Sequence, residues 1–247
     1  MPNKKQFKPT MTQITDQERE FLKACVTGDF ALVKRAIKNG VNIEVRDSFN
    51  SSALCNAISW QRKNIIKLLL DNGANPNPTE TSSHVALALV GRQGDVEVLK
   101  WLLDAGADIN ALEKSTGFTA LTATVLMGKI PALKFLLEQG ADPDRHLIGR
   151  VTPMHEAVVM GRVDALELLI KANADPGALN YAKKTPLQSA LEKKNEAIIE
   201  LCRLSETEYR MRQFKENRST ASLSKKSQTK KFLKLKRRVS RKGIGNG

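Results

Sequence analysis

The amino-acid sequence predicts an all-α solenoid: about six helix-turn-helix repeats joined by β-turn fingers, followed by a basic tail. Three observations carry this expectation. A short phrase returns about every 33 residues, and apolar residues between its copies fall at helical spacing. Aromatic residues make up only 5% of the chain while hydrophobic residues reach 41%, so the core must be built mostly from Leu, Ala, Val and Ile. Such a core suits short, closely packed helices better than a sandwich or barrel of strands, and 247 residues are enough to bury it.

The phrase that sets the period is Asn39-Gly40-Val41-Asn42, which recurs as Asn72-Gly73-Ala74-Asn75, Ala105-Gly106-Ala107-Asp108, Gln139-Gly140-Ala141-Asp142 and Asn173-Ala174-Asp175. A second phrase keeps phase with it: Ser52-Ala53-Leu54-Cys55, Val85-Ala86-Leu87-Ala88, Thr119-Ala120-Leu121-Thr122, Thr152-Pro153-Met154-His155 and Thr185-Pro186-Leu187-Gln188. Two phrases held in register over several copies are the mark of a repeat architecture.

Each phrase has a physical task. Thr caps a helix N-terminus, and Pro fits the first turn, where its missing N–H is no loss. The first helix that follows is broken at Gly28, Gly94, Gly128 and Gly161, where a residue without Cβ most easily turns left-handed. A second helix carries apolar residues such as Val96, Leu99, Trp101, Leu102 and Leu103 and stops at the next glycine. The Ala-, Asp- and Asn-rich stretch after it reads as a β-turn finger leading to the next copy.

The second phrase resembles the Thr-Pro-Leu-His signature of ankyrin repeats, most closely in Thr152 to Ala157. Gly91-Arg92-Gln93-Gly94-Asp95 and Met160-Gly161-Arg162-Val163-Asp164 resemble the turn between that family's two helices. The resemblance covers residues 16–203. It divides them into repeats at about 16–46, 47–79, 80–112, 113–146, 147–179 and 180–203, between a basic N-terminus (1–15) and a basic low-complexity tail (204–247). One helix pair cannot bury its apolar face alone, so the copies must stack. The outermost two depart from the pattern as caps should: Arg19-Glu20-Phe21-Leu22 stands where the first signature belongs, and the last repeat is charged at Glu192, Lys193, Lys194, Glu196 and Glu200.

No constellation invites catalysis or metal binding. Cys25, Cys55 and Cys202 are odd in number and far apart, which suits neither a disulfide framework nor a zinc site and points to a reducing compartment. Cys55 and Cys202 read as small buried hydrophobes. Of the three histidines, His84 and His146 fall on or near fingers; the resemblance gives His155 a hydrogen bond to neighbouring backbone, a structural role. Asp142-Pro143-Asp144 lacks the remaining ligands of a calcium loop, and there is no phosphate-binding glycine loop. Neither a signal-peptide core nor a run of about 18 apolar residues is present, so the chain is expected inside the cell, without cofactor, as a monomer.

What the resemblance implies instead is a binding scaffold that seats a partner on finger tips and inner helices. Carried over position by position, the groove-facing residues include Phe49, Trp60, Phe118, Leu126, Met127, Ile148, Val159, Met160 and Tyr181. Apolar side chains on an open surface tend to mark an interaction site, so another protein offering an apolar or amphipathic segment is the expected partner. The competing reading packs some of these side chains between repeats. Trp101 and Phe135, at equivalent second-helix positions, are expected in the core.

The formal charge of +14 is borne by the ends of the chain. Residues 1–13 carry three lysines and no acid, and residues 205–247 carry fourteen Lys or Arg against Glu206, Glu208 and Glu216, which leaves 14–204 neutral. A neutral body with basic ends differs from a uniformly basic nucleic-acid-binding fold. After a stretch at 205–218 that reads as a continuing polar helix, the tail concentrates Lys230, Lys231, Lys234, Lys236, Arg237, Arg238, Arg241 and Lys242 around four apolar residues. A solvated tail, a nuclear import signal, a contact for nucleic acid or acidic lipid, and docking into the chain's own groove all fit this pattern. Ser240, behind Arg237-Arg238-Val239, resembles a basophilic kinase site.

Overall fold

The computed structural model describes residues 14–77, 85–146 and 151–215. Their helices are α1 (Asp16–Thr27), α2 (Phe30–Lys38), α3 (Ala53–Ser59), α4 (Lys63–Asp71), α5 (Ala86–Gln93), α6 (Val96–Asp104), α7 (Ala120–Leu126), α8 (Ile130–Glu138), α9 (Pro153–Val159), α10 (Val163–Lys171) and α11 (Pro186–Lys193), with α12 over 196–215. Odd-numbered helices from α1 to α11 pack on one another in one layer, and even-numbered helices from α2 to α10 do so in a second. Consecutive pairs therefore stack as an all-α solenoid.

Short helices of seven to nine residues are marginal by themselves, so caps and stacking hold them. Ser52, Thr119 and Thr185 accept the N–H of the residue three further on, and Thr15 forms a reciprocal cap with Glu18 that starts α1 at Asp16. That opening turn makes α1 the longest of the odd-numbered helices. Val85 has no side chain able to cap α5. Leu54, Ile58, Ile65, Ile66 and Leu69 fill the second repeat, and Leu87, Val98, Leu99 and Leu102 repeat the pattern in the third. Leu121, Val125, Leu133 and Leu136 continue it into the fourth, within one contiguous core.

The helix-to-helix turn repeats its backbone even where its residue changes. Gly28, Gly94, Gly128 and Gly161 have positive φ, and so do Gln61 (55°) and Lys194 (55°) at the same register. Two sequence expectations are corrected. Gly91 does not belong to the turn: it lies inside α5, and a Cβ built on it would come within 2.7 Å of the Ala120 carbonyl on α7, so it sets the approach of two inner helices. Trp101 and Phe135 are half-buried, packed against the rim of the core, because the outer layer has no further layer to cover it.

Two polar seams lock neighbouring repeats together. On the finger side, Asn42, Asn75, Asp108, Asp142 and Asp175 each accept the N–H two residues on. Glu44, Asn77, Asn110 and Asp144 then accept the N–H of Asn75, Asp108, Asp142 and Asp175 in the following repeat, at 2.7 to 2.9 Å. On the turn side, carbonyls near the ends of inner helices, which have no partner within their own helix, are reached from the next repeat. Arg62 Nε donates to Val26 O (2.9 Å), Gln93 Nε2 to Ile58 O (2.7 Å) and Arg162 Nη2 to Leu126 O (3.4 Å).

α12 runs without interruption from the last repeat to residue 215. Ile198, Ile199, Cys202 and Ser205 form its buried side, while Leu204 and Met211 are exposed. No helix among the described residues is long and apolar enough to cross a membrane.

Candidate protein-binding groove

Inner helices begin at the fingers and end at the turn to the outer helix, and the exposed residues at that far end form one edge of a groove wall. Trp60 is the C-cap of α3, Met127 that of α7 and Met160 that of α9. These three occupy one register of the repeat, together with Gln93 in the third. Trp60, Met127, Val159 and Met160 are exposed, Trp60 by 57%.

The fingers that lead into the inner helices carry exposed aromatic side chains at their tips. In the first, Asp47 Oδ1 accepts the N–H of Phe49 and of Ser51, both at 2.9 Å, while Oδ2 accepts from Asn56 Nδ2 at 3.0 Å. Arg46 and Ser52 close its base as an antiparallel bridge. Asn180 builds the same turn in the last finger, accepting from Ala182 N and Lys184 N. The tips so fixed present Phe49, 84% exposed, and Tyr181, 77% exposed.

The remaining sequence candidates differ. Phe118 and Leu126 are half-buried rather than open. The backbone of Phe118 closes the third finger through Glu113 N–H to its carbonyl, and Arg162 of the next repeat reaches over to the Leu126 carbonyl. Ile148 lies outside the described residues, as do Ser240 and the basic run from Lys230 to Lys242.

Charges on the wall were not legible as a set. Arg92 on α5 pairs in fork geometry with Glu113, which is 2% exposed and also accepts from Thr116 Oγ1 at 2.8 Å. The ion pair and Gln93 interrupt the apolar wall at the third repeat. Lys184 pairs with Glu192. The carboxylate of Glu156, half-buried on α9, has no hydrogen bond or ion pair among the described residues, and burial pushes it above the usual range. Sequence spacing revealed neither the Arg92–Glu113 pairing nor the isolation of Glu156, because both depend on which finger folds over which helix.

Reactive chemistry is muted. Burial pushes Cys25 up to about 12 and Cys202 up to about 11, so both stay thiols. His155 Nε2 donates to the Lys184 carbonyl (3.0 Å) and Nδ1 accepts from Thr152 Oγ1 (2.9 Å); burial lowers its pKa, which favours this neutral ring tied to the next finger. Among the described residues no group of three or more His, Cys, Asp or Glu is placed to hold a metal ion.

Fold and groove together define a helical-repeat scaffold with an open inner wall. The chain belongs to the ankyrin-repeat family: residues 84–180 match a model described as ankyrin repeats in three copies, and residues 21–70 one described as ankyrin repeats in many copies. An ankyrin repeat domain from Acinetobacter baumannii superposes with a TM-score of 0.70 at 25% identity, covering 76% of this chain and 98% of that one. An L-asparaginase of Dirofilaria immitis is 32% identical over 54% of this chain and 22% of its own length. An ankyrin repeat and KH domain-containing protein of Caenorhabditis briggsae is 31% identical over 55% of this chain and 5% of its own. This chain thus spans a quarter or less of these relatives. Ankyrin repeats are in general protein-interaction modules, and the family is generally non-enzymatic.

Proposed function

We propose that this chain is a non-catalytic adaptor or scaffold that holds an apolar or amphipathic segment of another protein in its concave groove. The observation that supports the reading is the exposure of Trp60, Met127 and Met160 at one register of the inner helices, where a folded chain gains nothing by leaving them in water. Trp is also enriched among binding hot spots. The asparaginase relative does not alter this reading, since only 22% of it is matched. The place of action is inside the cell, in cytoplasm or nucleus, and the working unit is a monomer.

Trp60→Ala combined with Met127→Ala tests it. Affinity capture from lysate with the wild-type chain and with the double variant should differ by loss of specific proteins, with the melting temperature nearly unchanged. An identical captured set, or a large fall in melting temperature, overturns the reading.

A second reading is favoured by the charge partition, fourteen basic residues against three acids over 205–247. In it the tail supplies affinity for nucleic acid or acidic lipid, or directs nuclear import, and the repeats only present it. Binding of that kind weakens steeply with salt, whereas groove binding through apolar anchors does not.

A further inference from the structure

We propose that the chain's own segment 230–242 seats on the groove wall of the fourth to sixth repeats, pairing one of its basic side chains with Glu156 and so competing with external partners. The inference rests on reading the groove as a docking surface.

Glu156 carries the argument. Across the inner helices from α3 to α11 the only carboxylates are Glu156 and Glu192. Glu192 is paired with Lys184, and Glu156 is not paired with any described residue. Its counterpart in the second repeat, Asn56, is tied to the finger at Asp47, and its counterpart in the last, Ser189, donates to the Thr185 carbonyl. A half-buried carboxylate without such a tie has lost hydration and received nothing in exchange. Val159 and Met160 follow it at i+3 and i+4, so one helix face presents a desolvated anion beside two exposed apolar side chains. The complement of that face is a cation flanked by apolar groups.

Segment 230–242 has this chemistry. Its eight Lys or Arg are interleaved with Phe232, Leu233, Leu235 and Val239, and it holds no acid. Reach is sufficient. The fourteen residues 216–229 can span about 50 Å when extended. α12 is about 30 Å long, and adjacent helices pack about 10 Å apart. Tethering raises the effective concentration of the segment to the millimolar range, so a weak intrinsic contact is populated.

Carbodiimide coupling of the full chain, at a dilution where it is a single molecule, joins lysine amines to carboxylates in contact with them. Mapping the monomer band should find Glu156 joined to Lys230, Lys231, Lys234, Lys236 or Lys242. Coupling of these lysines only to exposed outer-helix carboxylates such as Asp164 and Glu167, or only in dimeric bands, overturns the proposal. A second arm uses a labelled peptide of residues 230–242 as probe. It should bind a full chain whose eight basic tail residues are replaced by Gln about tenfold more tightly than the wild type, and Glu156→Lys in that background should abolish binding. Equal binding to both chains overturns the proposal. Loss of partner capture in the Trp60/Met127 variant concerns the groove reading alone, so the two failures are distinguishable.

Discussion

Asp144 accepts the backbone N–H of Asp175 from the following repeat, at 2.9 Å to Oδ1 and 3.1 Å to Oδ2. Its carboxyl is held above the usual range, first by burial and then by the charges of Asp175 and Asp142, against the Asp175 hydrogen bond that lowers it. A fold that raises a carboxyl pKa prefers its protonated form, so ionisation costs stability as pH rises from the unfolded value near 4 through the raised one.

Acceptor and charge can therefore be separated. Asp144→Ala leaves the Asp175 N–H without its partner and should lower stability by about 1–2 kcal/mol in urea denaturation. Asp144→Asn keeps an acceptor without the charge, and should equal or exceed the wild type at pH 7, with any gain vanishing as pH approaches 4. A loss as large for Asn as for Ala would show that the seam needs the charge.

Gly91 predicts a different cost. In Gly91→Ala the new methyl meets the Ala120 carbonyl at 2.7 Å, backbone against backbone, so neither side can yield without moving a helix. Destabilisation of about 1–3 kcal/mol is expected. A melting temperature within one degree of the wild type would mean that α5 and α7 slide apart freely.

Gln61 and Lys194 hold the left-handed turn conformation that glycine holds at Gly28, Gly94, Gly128 and Gly161. Side chains with a Cβ are strained there, by about 1–2 kcal/mol, while glycine costs about 0.5–1 kcal/mol of extra unfolded-state entropy. Relief wins narrowly. Gln61→Gly and Lys194→Gly should each stabilise by about 0.5 kcal/mol, read as a small rise in melting temperature, and a fall in both would refute the strain.

Much of the architecture was legible because it depends on short-range chemistry. Thr119 and Thr185 cap helices, Gly94 and Gly128 turn the chain, and the signature residues Leu54, Leu87, Leu121 and Met154 enter the core. Gly91 was misplaced for a reason of the same kind: a Gly-x-x-Gly pair reads locally as one turn, and only the neighbouring helix reveals that its first member serves packing. Trp101 and Phe135 show the converse limit, since helical spacing says which face a residue shares but not how many layers cover it.

The groove divides along the same line. Exposure of Trp60, Met127 and Met160 goes with their shared register in the repeat, which spacing supplies, whereas Val159 is exposed and Leu126 half-buried at one and the same register. Burial of Glu113 by Arg92, partial closure over Leu126 by Arg162, and the isolation of Glu156 join residues 21 to 36 apart, or depend on the absence of such a partner.

By itself, then, the sequence determined the repeat length, the helix pair, its caps and turns, and the family to which the chain belongs. All of these rest on interactions within a few residues, and repetition amplified them into a signal. Tertiary structure alone decided the two inter-repeat seams, the close approach at Gly91 and the pairing of charges along the groove. Those depend on distances between chain segments a full repeat apart, which hydrophobic periodicity does not encode.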